Sequence, residues 1–279
     1  MFWGGTYVVN QNVMTRLSPA DLLTWRFGIA TLILILLRPR WIATAPKIHF
    51  IRGFWLGAIL GVGFLVQLIG LTTTSATASG FITGMFVVFV PLLAAVLFRE
   101  RIAVAAWAGV AMAFVGLALI AFNGLSIGVG EALTLLCALL FAVHIIGLAR
   151  WVDAEYLYTL TTAQIATVFV LSLTVSVAQG GPQLPPTRSV WLAIVVMAVV
   201  GTCIGYFAQT WVQSQLSSTR TAIILTAEPV FAGIAGVTVG TDVLSPRIVL
   251  GSLLILAATY VVELGPRHSA GGEHIRLEP

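Results

Sequence analysis

Charge is what this sequence has least of. Asp, Glu, Lys and Arg together make up 9% of its 279 residues, against about 25% in an ordinary soluble domain. So few charges cannot clothe a water-soluble fold, and 59% of the residues are hydrophobic, with a mean hydropathy of +1.03. The chain therefore reads as an integral membrane protein whose first partner is the lipid bilayer. Only two cysteines are present, Cys137 and Cys203, both in apolar runs. They exclude a disulfide framework and a cysteine-rich metal site. No charged segment stands ahead of a cleavable signal, and no polar stretch exceeds the tail that follows Gly265, so no soluble domain is expected. Gly-rich phosphate loops, H-E-x-x-H and G-x-S-x-G are all missing. The single lysine, Lys47, falls in a polar turn, which disfavours phosphorylated substrates. No cofactor and no metal is implied, and nothing suggests a nucleic acid.

What is present is a series of long apolar runs separated by short polar turns. Ten candidate helices follow, at roughly 1–15, 19–37, 53–72, 76–97, 103–122, 130–149, 157–178, 189–212, 218–239 and 246–264. Most reach the ~20 residues that cross the hydrocarbon core, although the first is short. The runs lack period-two alternation and are too long for barrel strands, so the fold class is all-α. Basic residues set the orientation. Arg38, Arg40, Lys47, Arg52, Arg99, Arg101, Arg150, Arg220, Arg267 and Arg276 fall on one side, and only Arg16, Arg188 and Arg247 on the other. Both termini are expected in the cytoplasm, with the chain in a plasma membrane, a bacterial inner membrane fitting best.

The chain also resembles itself. A shift of 142 brings residues 63–119 onto 205–261 without a gap, matching Gly63 with Gly205, Gln67 with Gln209, Ser75 with Ser217 and Gly109 with Gly251. Five helices per half is an odd number, so the halves must cross in opposite directions. Two inverted five-helix repeats are expected, at 1–124 and 128–264, followed by a cytoplasmic tail at 265–279. Such repeats place a substrate site near the midplane between them.

A family resemblance rests on an ordered set of motifs. "WGGTYVVNQNVMTRLSPADLLTWRFGIA" resembles the opening of an EamA domain, with Trp3-Gly4, Ser18-Pro19 and Arg26 at the family's spacing. "FVPLLAAVLFRERI" and "EPVFAGIAGVTVGTDVLSPRIVLGSLLILAATYVVE" are similar to the closing stretches of its two copies, and Gln164 stands where Arg26 stands in the first. The likeness spans almost all of residues 1–264. It implies a transporter of the drug/metabolite superfamily.

Polar residues inside apolar runs are the candidate site. Glu228 is the sole ionisable group of its run and is followed by Pro229. A charge at that depth costs about 2.5–3.5 kcal/mol and should face a cavity or a partner. It is a candidate to bind a substrate amine or carry a coupling proton; the plainer role is a packing hydrogen bond. Arg26 is a candidate anchor for a carboxylate, or else a snorkelling arginine. The two are expected at different depths and unpaired. His144 reads first as a structural hydrogen bond, while Gln67 and Gln209 suit either a cavity wall or interhelical bonding. Asn10, Tyr7 and Tyr206 are further candidates to line a site, with Trp25, Trp55, Phe86 and Trp211. Pro91 and Pro229 are expected to break their helices and take part in gating. Gly53, Gly57 and Gly61 form a close-packing stripe.

A secondary transporter is the expected function, exporting small organic metabolites such as amino acids or amphipathic drugs. The competing class is a membrane-embedded lipid-modifying enzyme, which would need converging His, Asp or Ser groups. A non-enzymatic role with a small-molecule substrate is preferred, and a homodimer is one assembly the chain allows.

Overall fold

The structure, a computed structural model, describes residues 2–74, 76–99, 102–121, 128–225, 228, 231 and 246–264. It is helical throughout these residues. In chain order the helices are α1 (Phe2–Met14), α2 (Pro19–Leu37), α3 (Pro39–Thr44), α4 (Lys47–Leu71), α5 (Ala76–Gly84), α6 (Phe86–Phe98), α7 (Val104–Ala121), α8 (Val129–Trp151), α9 (Leu157–Ala178), α10 (Arg188–Val196), α11 (Gly205–Gln213), α12 (Ser218–Leu225) and α13 (Pro246–Leu264). A π-helical segment, Met197–Ile204, joins α10 to α11 in one rod. Five of these are long and apolar enough to cross a membrane: α2, α4, α8, α9 and the rod Arg188–Gln213. The expected ninth span is described only over α12, Glu228 and Phe231, and Pro229 lies outside the described residues.

The ends of the helices follow from local chemistry. Ser18 caps α2 by accepting from the Asp21 N–H at 3.1 Å, with Pro19 in the first turn, where its missing N–H costs nothing. Glu131 accepts from the Gly128 N–H at 2.9 Å and holds the start of α8. Within the expected fourth span the ladder is interrupted at Met85, not at Pro91, which sits six residues further on inside α6. The Val88 N–H turns back to Met85 O at 2.9 Å, an i→i−3 bond that tightens the helix there.

Lipid supplies little drive for helices to associate, so close packing must hold them together. The glycine stripe of α4 does this against α9. A Cβ at Gly57 would stand 2.4 Å from the Gln164 carbonyl oxygen, and one at Gly53 2.4 Å from the Ala163 Cβ. Only glycine admits that approach. The main core gathers Leu22, Leu23, Phe27, Leu60, Phe64, Ile165, Val168, Ile194 and Tyr206 from α2, α4, α9, α10 and α11.

The contacts between helices recur in pairs. α4 lies on α9 as the α10–α11 rod lies on α2; α4 lies on α8 as the π segment lies on α1. α2 packs on α9, and α7 on α13.

The two ends of the bundle differ. At one end Arg52 donates to the Trp151 carbonyl, Arg38 sits over the Trp41 ring at 4.5 Å, and Arg150 sits over Phe98. At the opposite end Thr74 donates to Glu131 at 2.6 Å, and the Trp25 indole donates to the Gln183 carbonyl at 2.8 Å.

Candidate functional site

Eight helices converge on one cavity. Its lining is Trp3, Thr6 and Tyr7 of α1, Arg26 of α2, Leu60, Phe64 and Gln67 of α4, Thr83 of α5 and Phe86 of α6. From the second half come Phe141, His144 and Ile145 of α8, Tyr206 and Gln209 of α11, Leu225 of α12, and Glu228. Seven expected site residues therefore meet in one place: Glu228, Arg26, Gln67, Gln209, His144, Tyr7 and Tyr206. Asn10 does not line the cavity; it is buried one turn along α1 from Tyr7.

Most of the lining falls into matched positions. Trp3 and Phe141, Thr6 and His144, and Tyr7 and Ile145 are each 138 residues apart. Phe64 and Tyr206, Gln67 and Gln209, Thr83 and Leu225, and Phe86 and Glu228 are each 142 apart. The four-residue difference reflects four more residues between the second and third spans of the second half than of the first.

Arg26 is 2% exposed and does not snorkel to a surface. Its Nε donates to Thr202 Oγ1 at 2.8 Å, and its guanidinium lies 5.3 Å from the Phe27 ring centre and 5.4 Å from that of Phe64. Two ring faces and a hydroxyl thus offset part of the cost of burying its charge. The backbone around Thr202 is shaped for this. Thr202 Oγ1 also donates to Met197 O at 3.1 Å, an i→i−5 reach that suits the wider π turn. The Gly205 N–H goes to the Thr202 and Val200 carbonyls and skips that of Gly201. Gly201 O instead accepts the Trp3 indole N–H at 2.6 Å. The π segment therefore ties α1 and α2 of the first half to the second.

Glu228 enters the same cavity from the second half, with Tyr7 and Arg26 of the first half also in its lining. Tyr7 Oη in turn accepts from Gln67 Nε2 at 3.1 Å, and the same Nε2 reaches Thr83 Oγ1 at 3.1 Å. On the other side, His144 Nε2 meets Gln164 Oε1 at 2.9 Å, the structural bond expected of it. Gln209 Nε2 donates to Gln213 Oε1 at 3.1 Å, and Gln213 Nε2 to the Ile145 carbonyl at 2.7 Å.

Aromatic rings close the walls. Tyr206 lies 5.2 Å from Trp3 and 6.3 Å from Phe64, and Phe64 lies 5.3 Å from Phe141. Of the other aromatics singled out in the sequence, Phe86 joins the lining. Trp55 and Trp211 are exposed on the outside of the bundle, and Trp25 stacks edge-on against Trp191. Thr6, Thr83, Phe64 and Phe141 carried no signal of their own in the sequence, and Trp3 stood out only as part of the Trp3-Gly4 motif. The 142-residue match would have found Phe64 from Tyr206.

The free volume enclosed is about 50 Å³. Small-molecule pockets run to about 300–1,000 Å³, so the lining helices must move apart to admit an organic molecule. Among the described residues no cluster of three or more His, Cys, Asp or Glu is arranged for a metal.

Comparison with known proteins agrees with this architecture. The EamA-like transporter family matches residues 1–122 and again 128–264. An "uncharacterized transporter" of Archaeoglobus fulgidus is 30% identical over 265 residues, covering 95% of this chain and 83% of that protein. The "uncharacterized transporter YyaM" of Bacillus subtilis is 24% identical, over 92% of this chain and 88% of its own. A solved crystal structure shares the fold at a TM-score of 0.76 and 19% identity, covering 94% of this chain and 93% of that one. A helical membrane protein in which the family matches twice in succession is the outcome, and the chain belongs to the EamA-like transporter family.

Proposed function

We propose that the protein is a secondary transporter that exports small organic metabolites by alternating access, with the cavity as its substrate site. The observation that carries this reading is the meeting of Arg26 and Glu228, of opposite charge, in one buried cavity walled by aromatic rings. A molecule with a carboxylate, an amine and an apolar side chain fits that arrangement. Arg26 takes the carboxylate, Glu228 takes the amine, and Trp3, Phe64, Phe141 and Tyr206 take the apolar part. Amino acids and amphipathic amines are the substrate classes that follow.

The matched lining positions and the paired helix contacts support two inverted five-helix repeats around a site on their pseudo-twofold axis. Loops bearing Arg38, Arg52 and Arg150 then face the cytoplasm of a plasma membrane, with both termini on that side. A lipid-modifying enzyme has less support. His144 Nε2 meets Gln164 and Thr83 accepts from Gln67, so among the described lining residues no histidine is paired with a hydroxyl.

Uptake of radiolabelled compounds into proteoliposomes tests the reading. Aliphatic and aromatic amino acids should accumulate with saturable kinetics and compete with one another, while sugar phosphates should not. Accumulation that ignores every amine-bearing compound would overturn it. Under the same assay Glu228→Gln should remove the pH dependence of transport while leaving membrane insertion intact. Normal, still pH-dependent transport by that variant takes Glu228 out of the mechanism.

A further inference from the structure

Three buried oxygens outside the cavity have no hydrogen-bond partner: Asn10 Oδ1, Ser79 Oγ and Thr221 Oγ1. All three residues are at least nine-tenths buried. A buried polar group left unpaired is costly and calls for an explanation. Serine and threonine inside helices usually satisfy themselves on the carbonyl one turn back. Thr24, Thr31, Thr134 and Thr162 do so here. Ser79 and Thr221 do not.

Their placement is systematic. Ser79 and Thr221 are 142 residues apart, so they occupy matched positions of the two halves. Ser79 precedes the lining residue Thr83 by four, and Thr221 precedes the lining residue Leu225 by four. Each therefore lies one turn, about 6 Å, from the cavity on the same helix face. The helices α5 and α12 are short, and each begins only three residues before its hydroxyl. The two hydroxyls step away from the cavity toward opposite ends of the bundle. Asn10 makes a similar step along α1, which packs on α5.

A polar contact between helices lies toward each end of the bundle. Past Ser79, Thr74 Oγ1 donates to Glu131 at 2.6 Å. On α11, which packs on α12, Gln213 Nε2 donates to the Ile145 carbonyl at 2.7 Å. We infer that Ser79 with Asn10 lines the exit from the cavity to the end away from the basic loops, and that Thr221 lines the exit to the basic end. In this conformer these oxygens have no partner within the protein. When one route opens, its hydroxyl is hydrated, and the relief of the unpaired group favours opening. The inference rests on the alternating-access reading but not on the identity of the substrate.

The test is sided labelling of Ser79→Cys and Thr221→Cys with a membrane-impermeant cationic methanethiosulfonate. It uses right-side-out and inside-out vesicles, with the unaltered chain and its two native cysteines as the blank. Ser79→Cys should react from the extracellular face only and Thr221→Cys from the cytoplasmic face only, each at least about tenfold above the blank. Reaction of both from one face, or of neither in a preparation whose unaltered protein transports, overturns the inference and leaves the transporter reading standing. Opposite-sided reaction in a protein that moves none of the compounds tried supports the routes and counts against the substrate assignment alone. Should a cysteine variant fail to insert, Ser79→Ala and Thr221→Ala decide. Each should raise the thermal midpoint in detergent and lower turnover severalfold, and an unchanged midpoint with unchanged turnover overturns the inference.

Discussion

Arg26 and Gln164 stand at matching places in α2 and α9, yet only the arginine faces the cavity; the glutamine turns to His144 and Thr210. Phe86 and Glu228 form the complementary pair, the charge now falling to the second half. A frame of matched aromatic and amide positions thus carries one cation from the first half and one carboxylate from the second. Arg26 is also anchored by the half that does not supply it, through Thr202, and Glu228 shares the cavity lining with Tyr7 of the first half. Symmetry builds the chamber, and departures from symmetry give it two unlike ends. Any motion that parts the halves pulls on the Arg26 anchor.

The same comparison extends to packing. Gly53, Gly57 and Gly61 of α4 match Val195, Val199 and Cys203 of the second half, 142 residues on. The first half uses glycine to bring α4 against α9, whereas the second carries the π segment at that level. Putting the second half's residue into the first should have the largest effect of all. In Gly57→Val the new Cβ would meet the Gln164 carbonyl oxygen at 2.4 Å, and neither backbone can yield without unseating the helix pair. Overpacking of this kind costs about 1–3 kcal/mol or more. The variant should lose several degrees of thermal midpoint in detergent, measured by scanning fluorimetry. A midpoint equal to that of the unaltered protein would mean that α4 and α9 are not held by this contact.

Erasing the charge asymmetry comes next. Arg26→Gln places glutamine at both matched positions. A hydrogen bond to a charged group contributes about 1.5–3 kcal/mol, so apparent affinity for a carboxylate-bearing substrate should fall roughly 10- to 100-fold. Amines without a carboxylate should be affected far less. Equal losses for both kinds of compound would show that Arg26 supports the cavity and does not read the substrate.

How much of this could be read from the sequence depended on contrast. In runs that are almost wholly apolar, Arg26, Gln67, His144, Gln209 and Glu228 stand out through the cost of burying them in lipid, although Arg26 and Glu228 were expected at different depths. The structure brings all five together. Helix type was equally legible, because long apolar runs without period-two alternation fix it. Facing was not legible. Trp55 and Trp211 have the same composition signal as Tyr206 but lie on the exposed side, since an all-apolar helix gives no moment to tell lipid from protein. The break at Met85 was missed in favour of Pro91 because a helix within a bundle can accommodate a proline where neighbouring groups re-satisfy the backbone. The π segment leaves no sequence mark beyond Gly201 and Thr202. It exists through long-range bonds to Trp3 and Arg26, which no local pattern encodes.

The smallest effect is expected at the joint between the π segment and Arg26. Thr202→Val keeps the volume and β-branching of the side chain but removes its hydroxyl. Two bonds go: the acceptor for Arg26 Nε at 2.8 Å and the donor to Met197 O at 3.1 Å. The second loss leaves a carbonyl that already belongs to a helical ladder, and it should hardly matter. The first loosens Arg26 without removing its charge, which still sits against Phe27 and Phe64. Those ring contacts are each worth about 0.5–2 kcal/mol, enough to keep the guanidinium near its place. The expected outcome is a KM raised about two- to fivefold for carboxylate-bearing substrates, with turnover and thermal midpoint close to those of the unaltered protein. A loss as deep as that of Arg26→Gln would instead make the hydroxyl itself a substrate contact. No change at all would mean that the two rings position Arg26 unaided, and that the asymmetry of the cavity does not depend on the π segment.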